Sequence, residues 1–243
     1  MTDPTPSPPA RRHHPEAHRL PEIPAELARQ IKLLRRDMGS LLFHFTRGTG
    51  QPLVRERNGI RVETDGTARE VLKCILTDGA LKGTSRYIRS GEPCVCFTEA
   101  PLQEFATLFR LNEIAASRNE RPRYEPYGVA VNKDWLFAQG GRPVIYDHPD
   151  AFEQLPGHLK HRLVPYDPAA GLDHSWEREW RIKTASLALH PSRTLAVVPT
   201  ADEAAEIVYA FSEWEPDTEY TIGGPMPRWL AVSLDIFGFD DLS

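Results

Sequence analysis

Ser40-Leu-Leu-Phe-His-Phe-Thr46 is a compact apolar and aromatic run that stops at Gly48. Its length and composition are those of a buried strand. Neither GxGxxG nor GxxxxGK[ST] occurs in the chain, so no glycine-rich, phosphate-cradling turn leads from this first strand into a helix. The run therefore argues against a doubly wound dinucleotide fold and for an α+β domain with a mixed sheet flanked by helices. The two-residue period of a strand also puts His44 and Thr46 on one face.

Downstream, strand and helix patterns alternate irregularly. Thr67-Ala-Arg-Glu70 is a capping box, with Val71, Leu72, Ile75 and Leu76 as the apolar face of a helix and Gly79 as its stop. Cys94-Val-Cys-Phe-Thr98 reads as a strand, and residues 101–116 as a long helix carrying Leu102, Phe105, Leu108, Phe109 and Leu111. After a polar loop at 117–126 come strand Tyr127-Gly-Val-Ala-Val131, a short helix at Asp134-Trp-Leu-Phe137 broken by Gly140-Gly141, and strand Pro143-Val-Ile-Tyr146. A helical stretch near 149–162 follows. Strands at 180–183, 194–198 and 229–234 complete the pattern, with a helix at 201–209 capped by Thr200.

The 243 residues fit one large domain, expected to occupy 23–243. Residues 1–22 carry Pro4, Pro6, Pro8, Pro9, Pro15 and Pro21 beside Arg11, Arg12, His13 and His14, a mixture expected to form a disordered proline-rich tail. From Pro24, Leu27, Ile31 and Leu34 recur at helical spacing. No apolar run long enough to span a bilayer and no signal-peptide layout is present, so the expected location is the cytoplasm. Cys74, Cys94 and Cys96 lack CxxC spacing and are expected to be reduced core thiols. The net charge of −5 gives no global attraction to nucleic acid, although a local basic groove stays compatible with it.

Several residues are candidates for chemistry. Glu177 and Glu179, one residue apart in Trp176-Glu-Arg-Glu-Trp-Arg181, share a face if that segment is extended. Paired acids can divide their tasks, one stabilising a cationic reaction centre and the other polarising a nucleophile. The competing reading is a strand edge with cross-strand Glu and Arg pairs. His44 and Thr46 need partners if buried, which a ligand or the core itself can supply. Thr98 and Glu99 lie at a strand-to-helix turn, where ligands are often met. Arg86 and Arg89 are loop donors suited to phosphate. Cys94 and Cys96 have no further ligands at metal-site spacing, and His158 and His161 lack an HExxH glutamate, so no metal is expected.

The ordered set Leu-Phe-His44-Phe-Thr46, Ile75-Leu-Thr-Asp-Gly79-Ala-Leu81, Cys94-Val-Cys-Phe-Thr98-Glu-Ala-Pro, Tyr127-Gly-Val-Ala, Pro143-Val-Ile-Tyr146 and Trp176-Glu-Arg-Glu-Trp-Arg181 resembles bacterial proteins of the AbiGi abortive-infection type over residues 40–200. More distantly, His44-x-Thr46 and Ile75-Leu-x-x-Gly79-x-Leu81 resemble the ADP-ribosyltransferase superfamily, particularly its DarT-like enzymes that modify DNA. That resemblance implies a split mixed sheet and NAD as substrate, with His44 and Thr46 holding NAD and Glu179 catalytic with Glu177 as its companion. Tyr87 and Phe97 compete as the aromatic that stacks on nicotinamide, with Thr98 beside them in the cofactor site and Arg86, Arg89 and Glu99 on the substrate side. The implied setting is an effector of phage defence or a toxin–antitoxin pair, acting on nucleic acid or protein. Two alternatives stand beside it. One is a non-catalytic antitoxin or regulator using the same groove for a partner or nucleotide. The other is a nuclease, for which Asp240-Asp241 would have to contribute to a metal site.

Overall fold

The computed structural model describes residues 39–57, 60–102, 124–214 and 225–237, together with residues 24, 27, 104, 105 and 107–109. The chain divides into two compact units, Met1–Arg36 and Asp37–Ser243, and everything below concerns the second. The expected tail at 1–22 lies outside the described residues, as do most of the leading helix and residues 103, 106 and 110–116 of the helix expected at 101–116.

The apolar run opens the unit as strand β1 (Leu41–Phe45), followed by a hairpin of β2 (Leu53–Arg57) and β3 (Ile60–Thr64). Helix α1 (Ala68–Asp78) starts where the capping box places it, the Thr67 hydroxyl accepting from Glu70 N. A cap of this kind contributes about 1 kcal/mol. The helix ends because Gly79 takes the left-handed conformation, φ 59°, and donates its N–H back to Ile75 O. Next come β4 (Ala80–Lys82), β5 (Cys94–Thr98), β6 (Gly128–Asn132), α2 (Lys133–Ala138), β7 (Arg142–Pro143), β8 (Ile145–Asp147), α3 (Ala151–Gln154) and β9 (Leu163–Pro165). The chain continues with β10 (Glu179–Lys183), β11 (Ser186–Ala188), β12 (Thr194–Val198), α4 (Ala201–Ala210), β13 (Ser212–Trp214), β14 (Pro225–Pro227) and β15 (Leu230–Ser233). Residues 149–162 do not form one helix. Pro156, extended at ψ 141°, interrupts them, leaving the single turn of α3 and a 3-10 segment at Gly157–Arg162.

Seven strands form a central sheet in the order β15-β12-β6-β1-β5-β10-β7. All neighbours are antiparallel except β12 and β15, so the sheet is mixed. One face carries Leu42, Val95, Phe97, Val129, Val131, Trp180 and Ile182 against Leu72 and Leu76 of α1. Trp229 closes this layer, fully buried, with its Nε1 donating to Leu76 O at 3.1 Å. The other face packs Phe43, Phe45, Ala130 and Val197 against Phe105 and Phe109 from helical residues of the stretch after β5. The central position of β1 between β6 and β5 decides where a site can form.

Candidate functional site

Strand β1 is paired with β6 at five positions, Leu41 through Phe45, but with β5 only through Phe43 and Thr98. Beyond that rung β1 and β5 form no further ladder pair, although they are neighbours in the seven-stranded sheet. His44 reaches toward β5, its Nδ1 2.8 Å from Cys96 O, while its ring meets Phe97 edge-on at 5.8 Å. A carbonyl can only accept, so Nδ1 carries the proton. Desolvation of the ring holds the His44 pKa below 6.5, partly offset by the Cys96 bond. The imidazole is thus neutral near pH 7, and its Nε2 is left as a hydrogen-bond acceptor.

A cleft of about 360 Å³ opens beside this histidine, within the range of small-molecule sites. It is lined by His44, Phe45, Thr46 and Arg47 at and just after the end of β1, by Val71, Cys74, Ile75 and Asp78 from α1, and by Ala80, Leu81 and Lys82 of β4, with Thr49 before the hairpin and Leu53 at the start of β2. The Thr46 hydroxyl has one proton and two backbone carbonyls in reach, Tyr127 O at 3.0 Å and Ala68 O at 3.3 Å. It ties β1 to the start of α1 and keeps only acceptor capacity for a ligand. Arg47 and Lys82 bring positive charge to the lining and Asp78 the single carboxylate. Asp78 occupies the last turn of α1, which has no basic residue. A carboxylate there faces the negative end of the helix dipole, an unfavourable placement by roughly 0.3–1 kcal/mol.

The Glu-x-Glu segment is built differently from the extended form that would put both acids on one face. Glu177, buried, ends a 3-10 turn at Ser175–Glu177, and Arg178, left-handed at φ 46°, swings the chain before Glu179 begins β10. Glu179 is opposite Thr98, which is opposite Phe43, so these three share a row and a face. His44, one residue on, points with Phe97 and Trp180 to the other face. Two strand spacings, about 10 Å, separate the backbones of His44 and Glu179, and Glu179 is not in the cleft lining. Its carboxylate is held by Arg181, Nε to Oε1 at 2.7 Å and Nη2 to Oε2 at 3.1 Å. Arg181 also donates through Nη1 to His161 O at 2.9 Å and Leu163 O at 3.2 Å. Burial opposes the charge of Arg181, but the adjoining Glu179 carboxylate more than offsets this and raises its pKa.

Of the other candidates, Phe97 is a core residue and Thr98 is fixed internally, donating to Glu177 O at 2.5 Å and accepting from Ala100 N at 3.1 Å. Glu99 accepts from Trp180 Nε1 at 2.9 Å and pairs with Lys133. Tyr87 sits on a turn with φ 66° and is 79% exposed, with the Arg86 guanidinium 4.9 Å from its ring centre. Arg89 donates to Pro149 O at 2.6 Å and lies over Phe152. The structure therefore gathers His44 and Thr46 in the cleft and Thr98, Glu177 and Glu179 in a second cluster at β5 and β10, while Arg86, Tyr87 and Arg89 stand on a separate surface turn. The cleft residues Arg47, Asp78 and Lys82 escaped the sequence reading. The signal for Asp78 was available: an acid as the last helical residue before a glycine stop.

Compared with protein-family models, with curated proteins and with solved structures, the chain matches none. Among the described residues no helix is long and apolar enough to cross a membrane, and no group of His, Cys, Asp and Glu is placed to hold a metal ion.

Proposed function

We propose that the protein is an ADP-ribosyltransferase-like enzyme that takes NAD where the pairing of β1 with β5 ends and transfers ADP-ribose to nucleic acid or protein. The observation that carries this reading is the end of β1–β5 pairing at Phe43 and Thr98, with a neutral His44 whose Nε2 is an acceptor beside a ligand-sized cleft. A sugar hydroxyl is the natural donor to such a nitrogen. Arg47 and Lys82 supply charge for a pyrophosphate. Cleavage of the nicotinamide–ribose bond develops oxocarbenium charge, which a fixed carboxylate stabilises without a metal. Glu179 takes that role in this proposal, a ligand seated at His44 extending past the Phe43–Thr98 pair toward it. The Arg181 pairing occupies one site on each Glu179 oxygen and leaves further lone pairs for a hydroxyl. A place in phage defence or a toxin–antitoxin pair belongs to the same proposal.

The test is incubation of purified protein with labelled NAD and nucleic acid or cell lysate. Wild type is expected to release nicotinamide and transfer label, and Glu179→Gln to lose about 10²–10³-fold in rate while still binding NAD. Absence of both NAD binding and nicotinamide release in wild type sinks the proposal. One observation favours a second reading, a non-catalytic regulator that binds a nucleotide in the cleft: Glu179 is gripped at both oxygens and lies outside the lining. NAD binding with no nicotinamide release would select it.

A further inference from the structure

The cleft and the Glu179 cluster lie in fields of opposite sign. Arg47 and Lys82 are in the cleft lining, and its one carboxylate, Asp78, has an interaction of its own within the protein. Around Glu179 the balance is reversed. Burial first, and beside it the Glu179 and Glu177 carboxylates, raise the Tyr146 pKa to about 12 against the opposing effects of the Glu179 N–H and Arg181. One wall of the cleft is apolar. Val71, Cys74 and Ile75 stand three and four residues apart on a stripe of α1 beside the core residues Leu72 and Leu76, and all three are partly open to solvent. Covering such a wall favours an uncharged ring and disfavours a charged one. The volume of about 360 Å³ is near the lower end for ligand sites, so one half of a dinucleotide fits and the other has to lie outside.

We infer that the cleft seats the adenosine half of NAD, with the base on the Val71–Ile75 wall and the phosphate toward Arg47 and Lys82, and that the nicotinamide half extends toward Glu179. This rests on the cleft being a dinucleotide site, and it concerns binding alone, with no part in bond cleavage. The sorting is electrostatic, because adenine is neutral and the nicotinamide ring of NAD is a pyridinium cation. In the cleft the pyridinium would meet two cations and an apolar wall, whereas toward β10 it meets carboxylates. Val71 and Lys82 are thereby specificity-determining residues, one through the polarity of the wall and the other through its charge.

AMP and nicotinamide mononucleotide are a matched pair of probes, each with one ribose and one phosphate, that differ in the base, neutral in the first and cationic in the second. Calorimetry measures the dissociation constants of both, and of NAD, for wild type, Val71→Glu, Lys82→Glu and Thr77→Ala. Val71→Glu places a carboxylate in the first turn of α1, where the helix dipole favours it. Lys82 is exposed, so its reversal leaves the fold intact, and Thr77, exposed and outside the lining, is the control. Wild type is expected to bind AMP about tenfold or more tightly than nicotinamide mononucleotide. Val71→Glu and Lys82→Glu should each lower that preference about tenfold, with Thr77→Ala unchanged. Nicotinamide mononucleotide binding wild type as tightly as AMP, or a preference that neither charged variant moves, overturns the assignment while NAD binding leaves the dinucleotide site standing. Failure of wild type to bind NAD at all overturns the dinucleotide site and the assignment with it.

Discussion

Replacing Arg181 by Met should be among the most damaging single substitutions in the protein. The side chains of Arg181 and Glu179 are only 7% and 13% exposed, so removing the guanidinium leaves a carboxylate facing an almost dry interior. It also strips His161 O and Leu163 O of their donor. Breaking a buried ion pair from one side costs about 3–5 kcal/mol. For a folding unit of about 200 residues each kcal/mol lowers the melting temperature by roughly 2–4 °C, which gives a drop of about 6–20 °C. The carboxylate explains most of the loss, so the Arg181→Met, Glu179→Gln double variant should be less destabilised than the sum of the singles, by about 0.5–3 kcal/mol. Thermal and urea unfolding followed by far-UV circular dichroism measure both quantities. Arg181→Met within about 1 kcal/mol of wild type, or strict additivity in the double variant, would refute the claim that the pair is buried and mutually dependent.

Two further outcomes follow from the same packing. Burial lowers the pKa of both His44 and His161 from 6.5, so the unfolded chain binds more protons than the native one once the pH falls below that value. Native stability is therefore full above 6.5 and declines as the pH drops through 6.5 toward the native values. Urea midpoints taken between pH 7.5 and 5 should fall, His44→Asn should flatten part of that slope, and an unchanged slope in this variant would show that His44 is not the group being protonated. At Gly128, a Cβ would run into His44 O and come within 2.9 Å of Phe45 Cα, both backbone atoms of the paired strand. Gly128→Ala should cost about 1–3 kcal/mol or more and disturb the His44 end of β1. A wild-type unfolding midpoint for this variant would contradict the close approach of β1 and β6.

Where local chemistry determines local structure, the sequence was readable. Thr67, Glu70 and Gly79 bound α1 because caps and left-handed stops act within a few residues, and Cys94–Thr98 and Thr194–Val198 are strands at the limits their apolar runs suggest. The small pairs β2–β3 and β4–β11 escaped notice, since Ala80–Lys82 and Ser186–Ala188 are too short to show a period and exist because they pair with each other. The candidate site divides along the same line. His44 and Thr46 share a face by strand period, and both line the cleft. Glu177 and Glu179 required an extended chain to act together, and the left-handed Arg178 between them carries no sequence mark, arginine being an unusual choice for positive φ. That Glu179 would emerge on the face away from His44 depends on the register Phe43–Thr98–Glu179, which no local pattern encodes.

The position of β1 has a consequence for biogenesis. It is the first strand of the sheet to be synthesised, yet the partner it needs along its whole length begins at Gly128, 83 residues beyond Phe45. At about 5–20 residues per second, the ribosome takes roughly 4–17 s to supply that partner. During this interval Leu-Leu-Phe-His-Phe is an unpaired, strongly apolar segment. The nascent chain is thus most exposed to misassociation early in synthesis, and a holdase chaperone that recognises short aromatic stretches would find its target at residues 41–45.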